Sequence, residues 1–389
     1  MSCERTRADR LLSAASPLAE SAAIVAIPVR NEAELLPACL DALFAQRDAH
    51  GRPLPPGSFG ILLLLNNCGD ASASVAARYA RAASRPVRIV DVRLPPAMAH
   101  AGAARRAAMD LAGAWLTAAG QGSGAILTTD ADSRVPATWI DANLAILAGG
   151  VDAVAGLVAL AAPDEAGLGE QLRRRGGLEQ SYQALLMEAA ARLDPLPHDP
   201  WPNHWTASGA TIAVRRAAYA AIGGIPMLPA GEDRALVTAL VAHGFAVRHE
   251  PSIVVTTSGR LAGRASGGVA DTLRLRRERP DSPCDPRLEP VASALGRYRT
   301  RNRLRRLHDA KRAVSLVAAL RELGMAPAGA AAAARLPHFE AAWTMAEVAS
   351  PALAYRPLAP AELPVAIAHA EIALAGLRRL RPAIGWGGA

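Results

Sequence analysis

The chain has 389 residues, 51% of them hydrophobic, with 43 Lys and Arg against 35 Asp and Glu for a net charge of +8. That apolar content excludes wholesale disorder and suffices for one large or two ordinary domains. The positive balance favours anionic partners such as nucleotides, phosphates or an acidic membrane surface, without choosing among them. Cys3, Cys39, Cys68 and Cys284 form no CxxC pair and no zinc-ligand spacing with His, so neither a disulfide framework nor a structural zinc site is expected. The mixed-charge start MSCERTRADR leads into no apolar run of signal-peptide length. The longest uninterrupted apolar strand candidate, residues 61–65, is far short of a membrane span. A cytoplasmic chain is expected, attached to the inner face of a membrane at most peripherally.

In chain order, residues 1–21 read as a tail. Residues 22–29 (AAIVAIPV) are continuously apolar and β-branched at alternate positions, the pattern of a buried parallel strand. Leu36, Cys39, Leu40, Leu43 and Phe44 then recur at helical spacing. A polar loop over 47–58 leads to a second strand at 60–65, which ends in Asn66-Asn67-Cys68-Gly69-Asp70. A helix to about residue 83, a strand at 87–92 and an Ala-rich helix at 101–118 follow. This alternation implies βαβ units and a mostly parallel sheet.

The next stretch, 125–133 (AILTTDADS), is a short strand running into two carboxylates, Asp130 and Asp132. Strand side chains alternate faces, so Asp130 and Asp132 are expected to point the same way. Ligands of open α/β sheets sit beyond the carboxyl ends of the strands. A carboxylate pair there suits Mg²⁺ or Mn²⁺ holding a diphosphate, because such cations take one or two carboxylates plus phosphate oxygens. The plainer account is an acidic strand-to-helix turn, since Asp is a common turn residue and a helical pattern begins at Pro136.

Further on, 151–160 and 208–214 read as strands, 167–192 as largely helical and 193–204 as a loop with four prolines. Gly231-Glu232-Asp233 opens a helix to 241 or 243. Two short strands, 246–249 and 252–257, end in Ser258-Gly259-Arg260. Between Arg297 and Arg312 there are seven arginines and one lysine against the single acid Asp309. With Leu304, Leu307, Val314, Val317, Leu320 and Leu323 on one face, 297–323 is expected to be an amphipathic basic helix. It either packs on the core with a solvated charged face or meets anionic lipid.

Taken in order, AIPVRNEAELLPACLDAL, LLNNCGDAS, AGAARRAAMD, TTDADS, ASGATIAVRRAAY and GEDRALVTALVAHGF resemble the family 2 glycosyltransferases with the GT-A fold. The likeness covers about residues 22–273. It implies a Rossmann-like α/β domain with a mostly parallel twisted sheet flanked by helices over 22–275, and a helical, basic C-terminal extension over 276–389. It also implies a hexosyltransferase-type enzyme that moves a sugar from a nucleoside-diphosphate sugar to an acceptor hydroxyl. Pro28, Arg30 and Glu32 would hold the nucleotide, Asn67 and Asp70 the base, and Arg105 would face the same pocket. In this resemblance Asp132 of the DXD motif binds the divalent metal and Asp130 supports the ribose or the metal. Gly209 lets backbone approach the donor sugar, and Asp233, beside Glu232, is the general base.

Where many relatives place a His after the strand that follows the acidic motif, this chain has none. Arg260 and Arg264 are expected to supply charge to the diphosphate instead. Glu32, Asp70, Glu232 and Asp233 have a structural alternative as well, complementing or capping helix N-termini. The Pro-rich loop with Trp201, His204 and Trp205 is the candidate acceptor wall, or else is simply pinned to the core by its tryptophans. An inverting single displacement is expected, with a retaining GT-A enzyme as the nearest variant. A sugar nucleotidyltransferase or a non-catalytic nucleotide-sugar-binding module are the remaining rivals. No nucleic-acid role is expected, because the basic run is not interleaved with aromatics.

Overall fold

A computed structural model describes residues 23–259 and 269–380. The chain divides into two compact units. The first runs through Asp164 and adds Thr206–Val237 and Glu250–Asp271; the second comprises Glu165–Trp205, Thr238–His249 and the chain from Thr272 onward. The helical part therefore extends beyond the C-terminal extension expected from residue 276, drawing in two earlier segments.

The strands are β1 (Ala23–Val29), β2 (Phe59–Asn66), β3 (Val87–Val92), β4 (Ala125–Thr128), β5 (Ser133–Arg134), β6 (Ala153–Leu160), β7 (Ile212–Arg215) and β8 (Val247–Thr257). The helices are α1 (Leu36–Phe44), α2 (Ser72–Ala82), α3 (Ala101–Ala118), α4 (Trp139–Ala148), α5 (Ala162–Gly167), α6 (Glu170–Leu193), α7 (Arg216–Ala221) and α8 (Glu232–Ala242). They continue as α9 (Val269–Glu278), α10 (Val291–Asp309), α11 (Ala313–Glu322), α12 (Pro327–Ala333), α13 (Phe339–Ala349) and α14 (Leu363–Leu380).

One eight-stranded sheet runs β3-β2-β1-β4-β7-β6-β8-β5. β3, β2, β1 and β4 are mutually parallel, whereas β7 joins β4, and β6 joins β7, antiparallel. β1 and β2 are apolar along nearly their whole length because both faces of a parallel sheet are covered. α3 packs on β1 and β2, and it begins where His100 Nδ1 accepts the Ala103 amide at 3.2 Å. Its Trp115 approaches Gly60, where a β-carbon would sit 3.0 Å from the indole and 2.9 Å from Ile24; a bare backbone is needed at that point.

The chain order reverses at β1. Its following strand β2 lies on one side, and β4, reached only after β3, lies on the other. Such a switch point opens a crevice beyond the carboxyl ends of the two strands. Pairing of β1 with β4 ends at Ala26↔Thr128, while Pro28, which has no N–H to offer a ladder, pairs across to Leu64 of β2.

Three expectations are corrected here. Asp130 and Asp132 lie beyond β4 in a turn closed by the Ser133 amide on the Asp130 carbonyl at 3.1 Å, so strand alternation does not orient them. The basic stretch 297–323 is two helices, α10 and α11, separated at residues 310–312. The two short strands expected at 246–249 and 252–257 are a single strand, β8.

In the helical unit, α6 packs along α14 and α10, with Tyr182 and Leu186 against Leu363, Ala366 and Ala370. Helices α10 to α13 enclose a second apolar cluster around Leu304, Leu316, Leu320, Phe339 and Trp343. By length and composition alone, the stretch Pro360–Arg379 is long and apolar enough to cross a membrane. The sequence reading, which took 61–65 as the longest apolar strand run, had passed over it.

Candidate active site

Arg105 of α3 is 4% exposed and binds four acceptors. Its Nε donates to Glu232 Oε1 at 3.1 Å and its Nη2 to Asp130 Oδ1 at 2.7 Å. Its Nη1 donates to Thr128 Oγ1 at 2.9 Å and to the Gly209 carbonyl at 2.8 Å. Burial works against the charge, but Asp130 and Glu232 outweigh it and hold the guanidinium above its ordinary pKa. One side chain thereby ties the end of β4 to the loop before β7 and to the first turn of α8.

Gly209 passes so close that a β-carbon there would lie 2.3 Å from Arg105 Cζ. The two hydrogen-bonding groups of this residue are both used. The carbonyl takes Arg105, and the amide donates to Asp233 Oδ2 at 3.0 Å. The other Asp233 oxygen accepts the Arg234 amide at 2.7 Å. Asp233 is half-buried.

On the β1 side of the crevice, the buried Cys39 thiol of α1 donates to the Asp130 carbonyl at 3.5 Å. Burial pushes its pKa well up, and the charges of Asp132, Asp130 and Glu32 push it further. Three acids from two separate loops therefore surround one thiol. Thr257 at the end of β8 lies 3.4 Å from Asp132 Oδ1 and accepts the Ser133 hydroxyl at 2.9 Å. The sequence reading missed Thr128, Thr257 and Cys39; a hydroxyl or thiol in an apolar element gives no signal until its long-range neighbours are known.

The loop after β1 is bonded to the loop after β2. Glu32 is buried, and its amide donates to Ser72 Oγ at 2.8 Å. Asp70 accepts the Ala33 and Ser72 amides, each at 3.0 Å. Desolvation opposes its charge, but the hydrogen bonds from Ser72 and Ala33 hold its carboxyl below the usual range. Asp70 thus stands just ahead of the helix cap and joins two loops. Asn31 (φ 54°) and Asn67 (φ 52°) are left-handed, a conformation asparagine tolerates better than most residues. Asn31 Oδ1 accepts the Gly69 amide at 2.7 Å.

The Asn67 side-chain amide exchanges two hydrogen bonds with the Leu94 main chain, at 2.9 and 3.0 Å. Both of its polar atoms therefore hold the segment after β3, at the position expected to read a base. Arg30 donates to the Ala99 carbonyl. Arg260 and Arg264 lie outside the described residues.

For a divalent metal, no group of three or more His, Cys, Asp and Glu side chains among the described residues forms a ready cage. The donors at the end of β4 are hard oxygens, those of Asp130 and Asp132, with Asp130 Oδ1 also bound to Arg105. That set fits Mg²⁺ or Mn²⁺ where substrate phosphate and water complete the shell.

No protein-family model matches the chain, and no curated protein matches it. Solved structures do align. A mannosyltransferase, PcManGT from Pyrobaculum calidifontis in complex with GDP-Man and Mn²⁺, shares 18% identity over 94% of this chain and 93% of its own, with a TM-score of 0.43. S. aureus TarS 1–349 in complex with UDP-GlcNAc shares 14% identity over 68% and 62%, with a TM-score of 0.40. The complex of the same TarS fragment with UDP aligns over 61% of this chain and 58% of that one, with 15% identity and a TM-score of 0.39. The present chain thus spans less than two thirds of TarS 1–349, and the ligands named are those proteins' own.

Proposed function

We propose that this protein is a metal-dependent glycosyltransferase that moves a sugar from a nucleoside-diphosphate sugar to an acceptor hydroxyl with inversion. The observation that carries this reading is the convergence on Arg105 of Asp130, Glu232 and the Gly209–Asp233 link, at the β1/β4 switch point.

The two acids at the start of α8 take different parts. Glu232 is bonded to Arg105 and positions it. Asp233 Oδ2 is steadied by a neutral amide and is the group to take the acceptor proton. An alcohol holds its proton about as tightly as water, with a pKa of about 15.7. A placed carboxylate accepting that proton during attack contributes about 10²–10⁴-fold. The nucleoside half of the donor would lie along residues 28–32 and 67–70. A cation on Asp132, supported by Asp130, would neutralise the departing diphosphate.

The test pairs binding with turnover. With UDP- and GDP-sugars and Mn²⁺, at least one donor should raise the melting temperature and be consumed. A ligand at a hundredfold over its Kd adds about 2.7 kcal/mol. Asp233→Asn should keep that shift and lose about 10²–10⁴-fold in turnover. Unchanged turnover in Asp233→Asn, or no shift with any donor, overturns the reading. The product anomer, read by NMR, separates inversion from retention.

A further inference from the structure

The helical unit holds a cavity of about 260 Å³, walled by the end of α6, the Pro-rich loop before β7, His249, α10 and α13. We propose that it is a binding site for one neutral sugar residue. The inference requires nothing of Asp233 or of sugar transfer, because every residue it uses belongs to the helical unit.

The first argument is charge. The acids in the wall are already matched. Arg297 reaches both oxygens of Glu289, at 2.7 and 3.0 Å, and Arg301 and Arg305 face Asp194. Asp199 holds Arg248 at 3.1 Å and His249 at 2.9 Å, and Glu347 accepts the Tyr355 hydroxyl at 2.8 Å. A charged ligand inside the cavity would find the buried counter-charges engaged and would lose hydration without replacement. Among the described residues Arg287 is the one arginine of the wall without an acid partner, and it is exposed and stands over the Trp205 ring, so an acid or a phosphate would be held from the rim alone.

The second argument is what is left over. His249 Nδ1 is spent on Asp199, which leaves Nε2 as the ring's remaining hydrogen-bonding atom. Asn203 Oδ1 is buried and accepts nothing, although its Nδ2 donates to the Asp199 carbonyl at 2.8 Å. Among the described residues the Tyr298 hydroxyl makes no hydrogen bond, unlike those of Tyr182 and Tyr355. An amide oxygen, a ring nitrogen and a hydroxyl therefore stand around one small space with no hydrogen bond among the described residues. A purely apolar guest would leave them so and would forfeit those hydrogen bonds.

The third argument is shape. Trp205 and Trp343 also line the cavity. Their electron-rich surfaces suit the polarised C–H groups of a pyranose, while its hydroxyls suit the three polar groups. An aromatic wall with a few convergent uncharged hydrogen-bonding groups is the chemistry of a neutral polyol.

The full-length protein can be probed by saturation-transfer NMR with the methyl glycosides of glucose, galactose, mannose and N-acetylglucosamine, with glucose 6-phosphate as the anionic comparison. At least one neutral glycoside should give saturable transfer to its ring C–H protons, more strongly than the phosphate. Excess UDP or GDP should leave that signal intact. Tyr298→Phe and His249→Gln should each weaken binding about fivefold or more, the loss expected for one hydrogen bond. Should His249→Gln lower the melting temperature, Tyr298→Phe, which keeps the ring, decides the matter. The proposal is overturned if no neutral glycoside binds saturably, if UDP or GDP removes the signal, or if Tyr298→Phe leaves the affinity unchanged.

Discussion

At the scale of single residues, the first unit turns on Gly209 and Arg105. A methyl group on Gly209 would lie 2.3 Å from a guanidinium carbon that is itself fixed at four acceptors, so neither can give way cheaply. Gly209→Ala should destabilise the protein by about 1–3 kcal/mol, the usual range for overpacking. It should also break the Gly209–Asp233 link, so the melting temperature and donor turnover fall together. A melting temperature equal to that of the parent protein would show that Arg105 is free to move. The residue reads in sequence as a plain Ser-Gly-Ala. Its contacts with a side chain 104 positions away supply the reason for glycine there.

At the scale of elements, the basic stretch shows how a regular pattern can hide a break. The apolar spacing from Leu304 to Leu323 runs on as if through one helix, yet α10 ends at Asp309. Lys311 is left-handed, at φ 54°. Its amide returns to the His308 carbonyl at 2.8 Å, and that of Arg312 to Leu307 at 2.9 Å. This is the paired closure at a helix C-terminus that usually takes glycine. A lysine there carries a β-carbon penalty and gave no stop signal in the sequence. Lys311→Gly, at an exposed site, should raise stability by about 0.5–1 kcal/mol in urea denaturation, the strain removed exceeding the chain entropy lost. A loss of stability would mean that the lysine side chain matters more than its backbone.

The charges of the same stretch are largely spent inside the helical unit. Arg297 pairs with Glu289, Arg301 with Asp194 and Glu340, Arg303 with Glu322, and Arg305 with Asp194. Among the described residues Arg299, Arg306, Lys311, Arg312 and Arg321 pair with no acid and remain for an external anion. A lipid-facing role for 297–323 would have to rest on those five.

At the scale of the whole molecule, the helical unit carries buried acids whose ionisation its fold depends on. Burial of Asp199 works to raise its pKa, but His249 and Arg248 outweigh it and hold the carboxyl below its usual value. Glu188 is held low chiefly by Arg378, whose Nε donates to it at 2.8 Å, with Arg192 beside it. For a carboxylate lowered in the folded state, the contribution is complete above the unfolded pKa, about 3.9 for Asp. It is lost as pH falls through the folded value. The urea midpoint followed by tryptophan fluorescence should therefore hold steady near neutrality and drop below about pH 4. Asp199→Asn should flatten that drop, and an unchanged pH profile in the variant would remove Asp199 from the account.

The sequence by itself fixed the strand-and-helix alternation of the first 160 residues, because that signal is local: apolar runs for doubly covered strands, a period of 3.6 for α1 and α3. It also marked Asp130, Asp132, Glu232 and Asp233 as acids placed where elements end. Tertiary structure decided what those acids touch. Arg105 meets partners 25, 104 and 127 positions away, and no periodicity reports on such pairs. The cavity of the helical unit was hidden for the same reason. Its walls come from α6, the Pro-rich loop, β8, α10 and α13, and only packing brings two aspartates, two histidines and two tryptophans around one space.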